Sequence, residues 1–269
     1  MQVWAVVYDP ALFSEDLYQR GLRLVDPESA ARIKRFYRRE DACRTLLGRL
    51  LTRALLRQRE IPLDAMTFNA TAEGKPYIST SGIDPPIAYN ISHDNALVAM
   101  AFAPGTHNPP AYSVGMDVMK VRIPGRETFA SFVETVGDQL TRLEHQSLFS
   151  SISQDEGLKR FFWMWTIKEA YTKALGLGLG FDFRRVEYDV EANVLRVDKA
   201  IPHGWRFSRF VLNDGEDLYQ GVVAEFVGGT ETAVIPESAS QEWLISYGAV
   251  EFVEKTIGDF EGKRMHAEV

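Results

Sequence analysis

Trp165, Glu169 and Lys173 stand at i, i+4 and i+8 in WTIKEAYTKALGLGLG, so a helix through this stretch sets an acid and an amine on one face. Their plainest use is an exposed ion pair, worth about 0.3–0.5 kcal/mol. The preceding FFWMW run argues that part of this helix is buried, and a carboxylate beside apolar bulk needs a partner or a metal. A second acid, Asp117, lies among apolar residues in SVGMDVM. Strand alternation sends Gly115, Asp117 and Met119 to one side and Val114, Met116 and Val118 to the other. Asp is depleted in strands and costly to bury unpaired. Asp117 therefore reads as a strand-end acid bonding a turn, or as a ligand for a hard cation such as Mg²⁺.

Ser92 and His93 in NISHD suggest a nucleophile and its base, but adjacent strand residues point to opposite faces, which disfavours a hydrolase dyad. Both side chains can donate to a phosphate, as can Lys75 in EGKP. The glycines of GLGLG follow their helix, whereas phosphate-binding glycine loops precede one. Gly176 reads as a left-handed helix cap.

These side chains need elements to hold them. VWAVVYD reads as a first strand, and the chain from Pro27 to Arg59 as a helix with Asp26 as its cap. Leu46, Leu47, Leu50, Leu51, Ala54 and Leu55 form its buried stripe, with the arginines outside. Between Arg32 and Arg59 ten basic residues stand against Glu40 and Asp41, a basic face on a chain whose net charge is −7. That face is either merely solvated or a local site for a phosphorylated or acidic partner. MTFNATAEGKPYI reads as strand, turn, strand, with Gly74 at the turn. IAYNISHDNALVAMAFAP gives two further strands, and PGTHNPPAY is the best linker. The second half repeats the order: a strand, a helical stretch over 129–174, then strands at VEYDV, VLRVD, WRFSRFVL and YQGVVAEFV. Two similar α/β lobes follow from that doubling. The tail adds one amphipathic helix, EWLISYGAVEFVEKTI, expected to pack outside the lobes and to end in frayed polar residues.

At 269 residues, 45% hydrophobic and 25% charged, the chain is of ordinary globular composition. The negative net charge argues against general nucleic-acid binding. The lone Cys43 excludes an intrachain disulfide framework and suits a reducing compartment, so a cytoplasmic protein is expected. MQVWAVVYDP lacks the pattern of a secretory signal, and no apolar run approaches the roughly 20 residues of a membrane span.

Taken in order, FYRREDACRTLLGRLL, EGKPYI, NISH, VGMDVM and WTIKEAYTKALGLGL resemble the Sfp-type 4′-phosphopantetheinyl transferases, over roughly residues 1–224. The eukaryotic lysine-pathway branch is the nearer likeness, because its aspartate motif also runs Asp-hydrophobic-Met. The resemblance implies an α/β (α+β) fold of two pseudo-symmetric lobes, each a small antiparallel-rich sheet on a long helix, with coenzyme A between them. The lobes would span 1–111, which binds coenzyme A, and 112–228, which holds the metal site and catalytic helix, leaving 229–269 as an extension. It also implies the reaction: the 4′-phosphopantetheine arm of coenzyme A moves to a serine of an acyl, peptidyl or aryl carrier protein domain, releasing adenosine 3′,5′-bisphosphate. Carriers of fatty acid synthase, polyketide synthase, nonribosomal peptide synthetase and aminoadipate reductase are the implied partners, and a monomer the implied state.

Carried over residue by residue, Asp117 and Glu169 match the Mg²⁺ ligands, with Mn²⁺ an open alternative, and Lys173 the group at the α-phosphate. Arg44, Arg49, Gly74, Lys75, Asn90, Ser92 and His93 match the coenzyme A contacts, the basic side chains facing phosphates. One departure is Met119, where many members have a second acid; a thioether is a poor partner for a hard ion, so water is expected in that place. Glu169, directly or through a metal-bound water, is the expected base for the carrier serine. The competing readings are a non-catalytic module binding coenzyme A or carrier domains, which has no need of Asp117, Glu169 and Lys173 together, and a metal-dependent nucleotide hydrolase.

Overall fold

The structure, a computed structural model, describes residues 1–105, 113–177 and 180–262. The first lobe begins with strand β1 (Gln2–Val7) and helices α1 (Glu15–Leu22), α2 (Pro27–Ile33) and α3 (Arg39–Gln58). A short hairpin, β2 (Phe68–Ala70) and β3 (Pro76–Ile78), and a long one, β4 (Ile87–Asp94) and β5 (Leu97–Pro104), complete its first pass. The second lobe holds β6 (Val114–Lys120), α4 (Phe129–Val136), α5 (Arg142–Leu148) and α6 (Gln154–Leu175). It continues through β7 (Val186–Asp189), β8 (Val194–Val197), β9 (Trp205–Asp214), β10 (Asp217–Phe226) and β11 (Ala233–Ile235). Strand β12 (Leu244–Gly248) and helix α7 (Ala249–Glu261) follow.

Each lobe is a four-stranded sheet on one long helix: β12-β1-β5-β4 with α3, and β11-β9-β10-β6 with α6. The series β1-β5-β4 and β6-β10-β9 are antiparallel throughout and correspond in chain order, which is the two-lobed repeat the sequence implied. The fourth strands break the repeat, because β12 joins β1 and β11 joins β9, both in parallel.

Period-two alternation gives each sheet two buried faces. On β5, Val98, Met100 and Phe102 pack with Leu46, Leu47 and Leu50 of α3. Its other face, Leu97, Ala99, Ala101 and Ala103, meets Val114, Met116 and Val118 of β6 and Val223 of β10. The short alanine side chains let the two sheets approach closely. Along this seam alternate residues of β4 reach β6: Asn90 Oδ1 accepts from Met116 N at 2.8 Å, Ser92 Oγ donates to Asp117 Oδ1 at 2.9 Å, and Asp94 Oδ2 accepts from Lys120 N at 2.8 Å. The lobes are thus registered by side chains at period-two spacing.

Four expectations need correction. The helix from Pro27 is two helices, α2 and α3, and the break lets Ile33 and Ala42 both enter the core. Asp26 does cap α2, accepting from Ser29 N at 2.8 Å. Arg53 is buried rather than outside: its guanidinium pairs with Asp26 Oδ2 at 2.8 Å and lies over the Phe68 ring, partners that offset its desolvation. The stretch over 129–174 is three helices, the second and third restarted by the caps Thr141 and Ser153. Finally, the segment after residue 228 is part of the fold. Leu244–Gly248 is a strand covering the edge of β1, and Phe252, Val253 and Ile257 of α7 are buried against the first lobe's helices. An uncovered β1 edge would expose unpaired backbone groups, and three such side chains contribute roughly 1.5–3 kcal/mol each. Most of the PGTHNPPAY linker and the polar end of the tail lie outside the described residues.

Candidate active site

Helix α6 reaches β6 at Gly115. A Cβ there would overlap the Ala170 carbonyl and the Ala174 amide, so only glycine permits backbone-to-backbone contact. The same strand face carries Asp117 two residues on, and Glu169 and Lys173 flank the contact on the helix. This close approach is what brings the acid of one element against the amine of the other.

Asp117 is 4% exposed. Its Oδ1 accepts from Lys173 Nζ at 2.6 Å and from Ser92 Oγ at 2.9 Å, and Lys173 Nζ also donates to Ser92 Oγ at 3.3 Å. Its Oδ2 is buried without any hydrogen-bond partner. The half-buried side chain of Glu169 has no ion pair or hydrogen bond among the described residues, and burial first, then the Asp117 charge, raise its carboxyl pKa against the opposing pull of Lys173. An orphaned carboxylate oxygen beside a second unpartnered carboxylate leaves an unfilled demand for positive charge. Both donors are hard oxygens, so the residues fit a small divalent cation, which Asp117 and Glu169 would hold. No cluster of three or more His, Cys, Asp or Glu side chains suited to a metal occurs among the described residues, so Asp117 and Glu169 stand here as a pair. Met119, the next residue on that face, packs into the second lobe's core.

The other expected residues divide. Ser92 joins the site. His93, on the opposite face of β4, is exposed; desolvation first, then the positive charges of Arg44 and Lys173, lower its imidazole pKa. Arg44 donates to Asn95 O at 2.8 Å and pairs with Asp41 at 2.6 Å, while Arg49 sits one to two turns further along α3. Asn90 is used in the seam rather than facing the cleft. Gly74 forms the turn before β3 with φ +88°. Lys75 departs from expectation, because its ammonium faces backbone carbonyls of β6 and of the end of α6 and no donor is left for a phosphate. The C-terminal glycine is the expected cap, with Gly176 at φ 70°.

Sequence reading overlooked Lys168 and Glu144, which tie α6 to the start of α5 and to β7. Lys168 Nζ donates to Glu144 Oε2 at 2.6 Å, Gln139 O at 2.9 Å and Phe183 O at 3.1 Å. The signal was present: Thr141-Arg-Leu-Glu144 has capping-box spacing, and Lys168 lies beside Glu169. Next to Met119 an apolar groove of about 200 Å³ opens among Phe132, Val136, Phe161, Phe162 and Trp165.

Two carboxylates with unfilled hydrogen-bonding capacity and an ammonium beside them, at the junction of two lobes, can hold a cation and offset charge developing on a phosphate. Residues 13–105 match the family 4′-phosphopantetheinyl transferase, N-terminal, and residues 113–223 match the 4′-phosphopantetheinyl transferase superfamily. The chain is 48% identical over 261 residues to 4′-phosphopantetheinyl transferase pptA of Paxillus involutus, spanning 96% of this chain and 98% of that one. It is 31% identical over 217 residues to the L-aminoadipate-semialdehyde dehydrogenase-phosphopantetheinyl transferase of Homo sapiens, 80% of this chain and 67% of that one. With 4′-phosphopantetheinyl transferase Sfp of Bacillus subtilis (strain 168) it shares 29% identity over 180 residues, 66% of this chain and 72% of that one. The chain belongs to the 4′-phosphopantetheinyl transferase family.

Proposed function

We propose that this transferase carries out its reaction at Asp117, Glu169 and Lys173, taking the phosphopantetheine arm from coenzyme A and placing it on a carrier-domain serine. The observation that carries the reading is the buried, partnerless Asp117 Oδ2 beside unpaired Glu169. Mg²⁺ held by these two carboxylates would supply charge neutralisation at the pyrophosphate of coenzyme A.

In the transfer, the serine oxygen forms a bond to the phosphorus bearing the pantetheine arm. The bridging P–O bond breaks, and its electron pair leaves with adenosine 3′,5′-bisphosphate. Lys173 holds its ammonium where the leaving phosphate gains charge, a stabilisation strengthened by partial burial. Glu169, whose pKa burial and Asp117 raise, is the group placed to accept the serine proton. Ser92 holds Asp117 Oδ1 and so fixes the carboxylate's orientation.

Arg44 and His93 at the rim, with Arg49 beyond, are the coenzyme A phosphate contacts in this reading. Burial first, and then the charges of Arg44 and Lys173, lower the His93 pKa; the two cations beside the imidazole are what supports a place for an anion there. The groove beside Met119 gives the apolar part of the arm, or of the carrier, a surface next to the reacting groups. The carriers we assign are those of fatty acid, polyketide and nonribosomal peptide synthesis and of aminoadipate reductase. The last is supported by the vertebrate relatives' names. We also assign a monomer, testable by light scattering, and a cytoplasmic location, which the buried lone thiol suits and which imaging of a tagged chain would test.

The experiment is intact-mass spectrometry of an apo carrier incubated with the protein, coenzyme A and Mg²⁺, with an EDTA control. A gain of one phosphopantetheine, lost with EDTA and with Asp117→Asn, is expected. Adenosine 3′,5′-bisphosphate released without a carrier would instead mark a hydrolase.

A further inference from the structure

Lys75 leaves the first lobe and ends inside the second. The turn that sends it there is local: Gly74 N donates to Thr71 O at 2.9 Å, Lys75 N to Thr71 Oγ1 at 3.1 Å, and Gly74 takes a left-handed conformation that glycine adopts without strain. Beyond the turn the residue is 6% exposed, and its Nζ meets three carbonyls: Val114 O at 2.8 Å, Lys173 O at 2.6 Å and Ala174 O at 3.0 Å. An ammonium has three N–H donors, and all are used.

Two of these acceptors are end carbonyls of α6, which have no i+4 amide within the helix and lie where the helix dipole favours a cation. Gly176 N and Leu177 N reach only Lys173 O and Thr172 O. Lys75 therefore completes the cap of α6 from the other lobe, and through Val114 O it ties that cap to β6. Lys173 stands in both arrangements, giving its carbonyl to Lys75 and its ammonium to Asp117.

We propose that Lys75 is a positioning residue, which holds the last turn of α6 against β6 and so sets Lys173 at its distance from Asp117. The inference rests on Asp117, Glu169 and Lys173 being the reacting site. It differs from a phosphate contact because every donor of Lys75 points inward. Burial pushes its pKa down to about 7, a cost that accompanies its use as an internal donor.

The test compares Lys75→Met, similar in length but without donors, and Lys75→Arg with the full wild-type chain. The readouts are kcat, KM for coenzyme A, and amide hydrogen exchange over residues 173–177. Because a misplacement of about 1 Å can cost on the order of 10²-fold, Lys75→Met should lower kcat by roughly 10- to 100-fold. KM for coenzyme A should move less than about threefold, and exchange at the end of α6 should speed up while the α3 core stays protected. In a Lys173→Met background the same substitution should cost less than about threefold more, since the group it positions is gone. A raised KM for coenzyme A at unchanged kcat would make Lys75 a ligand contact and overturn the proposal, as would additive losses in the double variant. If Lys75→Met does not fold, Lys75→Gln, which keeps two donors, carries the same cycle. Failure of the site assignment shows separately, as a Lys173→Met or Asp117→Asn variant with wild-type kcat.

Discussion

Helix α6 presents two lysines five residues apart, each with a carboxylate oxygen at 2.6 Å, and the two pairs have opposite characters. Lys168 and Glu144 are 1% and 0% exposed at their side chains, and their polar atoms are well supplied: the ammonium has three acceptors, and Glu144 also accepts from Thr141 N and Tyr188 N. Lys173 and Asp117 are closed on one side only. The Lys173 side chain is 31% exposed, Asp117 Oδ2 has no partner, and Glu169 stands beside it unpaired. Residue type and distance do not separate structure from chemistry here; unfilled valence does. A buried pair with all its hydrogen bonds made has nothing left to offer a substrate, whereas the open pair is arranged for groups that arrive later.

The comparison breaks most sharply at Glu144. Glu144→Ala leaves the Lys168 ammonium buried without its counter-charge, and burial already lowers its pKa against the support of Glu144. A loss of about 3–5 kcal/mol is expected from urea unfolding, because an uncompensated buried charge carries the full desolvation cost. The joint replacement Lys168→Met with Glu144→Leu should recover only the part due to the buried charge, because the Thr141 and Tyr188 amides still lose their acceptor. If the single variant unfolds like wild type, the pair is not the closed lock described here.

At the open pair the order of effects reverses. Lys173→Met should lower transfer by about 10²–10³-fold, the scale for removing one preorganised electrostatic contact. Its unfolding midpoint should move less than that of Glu144→Ala, since Asp117 keeps Ser92 and the Lys173 side chain is itself partly exposed. Asp117→Asn should behave alike in activity. A variant of either residue that is inactive only because it is unfolded would erase the distinction between the two pairs.

His93 sharpens the contrast at smaller scale, because an anion bound at the rim should offset the part of its lowered pKa that Arg44 and Lys173 add to the effect of burial. NMR titration with and without coenzyme A should show the His93 pKa rising, by about one unit if a phosphate comes within roughly 6 Å. An unchanged titration would remove His93 from the proposed contacts.

Much of this was legible in the sequence, for identifiable reasons. Period-two alternation placed Asp117 and Gly115 on the face that meets α6, and i, i+4 spacing placed Glu169 and Lys173 together. Asp26 and Gly176 read as caps because their chemistry is local. What was missed is non-local. Arg53 finds Asp26 across 27 residues, β12 finds β1 from the far end of the chain, and Lys75 finds α6 across 98. A helical pattern in EWLISYGAVEFVEKTI could not show that its first part would complete a distant sheet, since an apolar run fits a strand or a helix until its neighbours are known.

Lys75 adds a third case: a buried lysine with all its donors filled, as at Lys168, but by carbonyls with no carboxylate among them. Its burial is therefore offset by partial charges only, and its pKa falls to about 7, against about 10.4 in an unfolded chain. Between these values the unfolded state holds a proton that the folded state has released, so the unfolded state binds more protons and stability rises with pH. Below about pH 7 both states are protonated and this contribution stops changing. The expected signature is a slope of up to about 1.4 kcal/mol per pH unit between roughly pH 8 and 10, present in wild type and absent from Lys75→Met. Subtracting the two stability curves cancels the other groups that titrate there. A flat difference curve would mean that the three carbonyls hold the proton more firmly than the Glu144 carboxylate holds that of Lys168, whose pKa burial still lowers, making counter-charge unnecessary for a closed lysine.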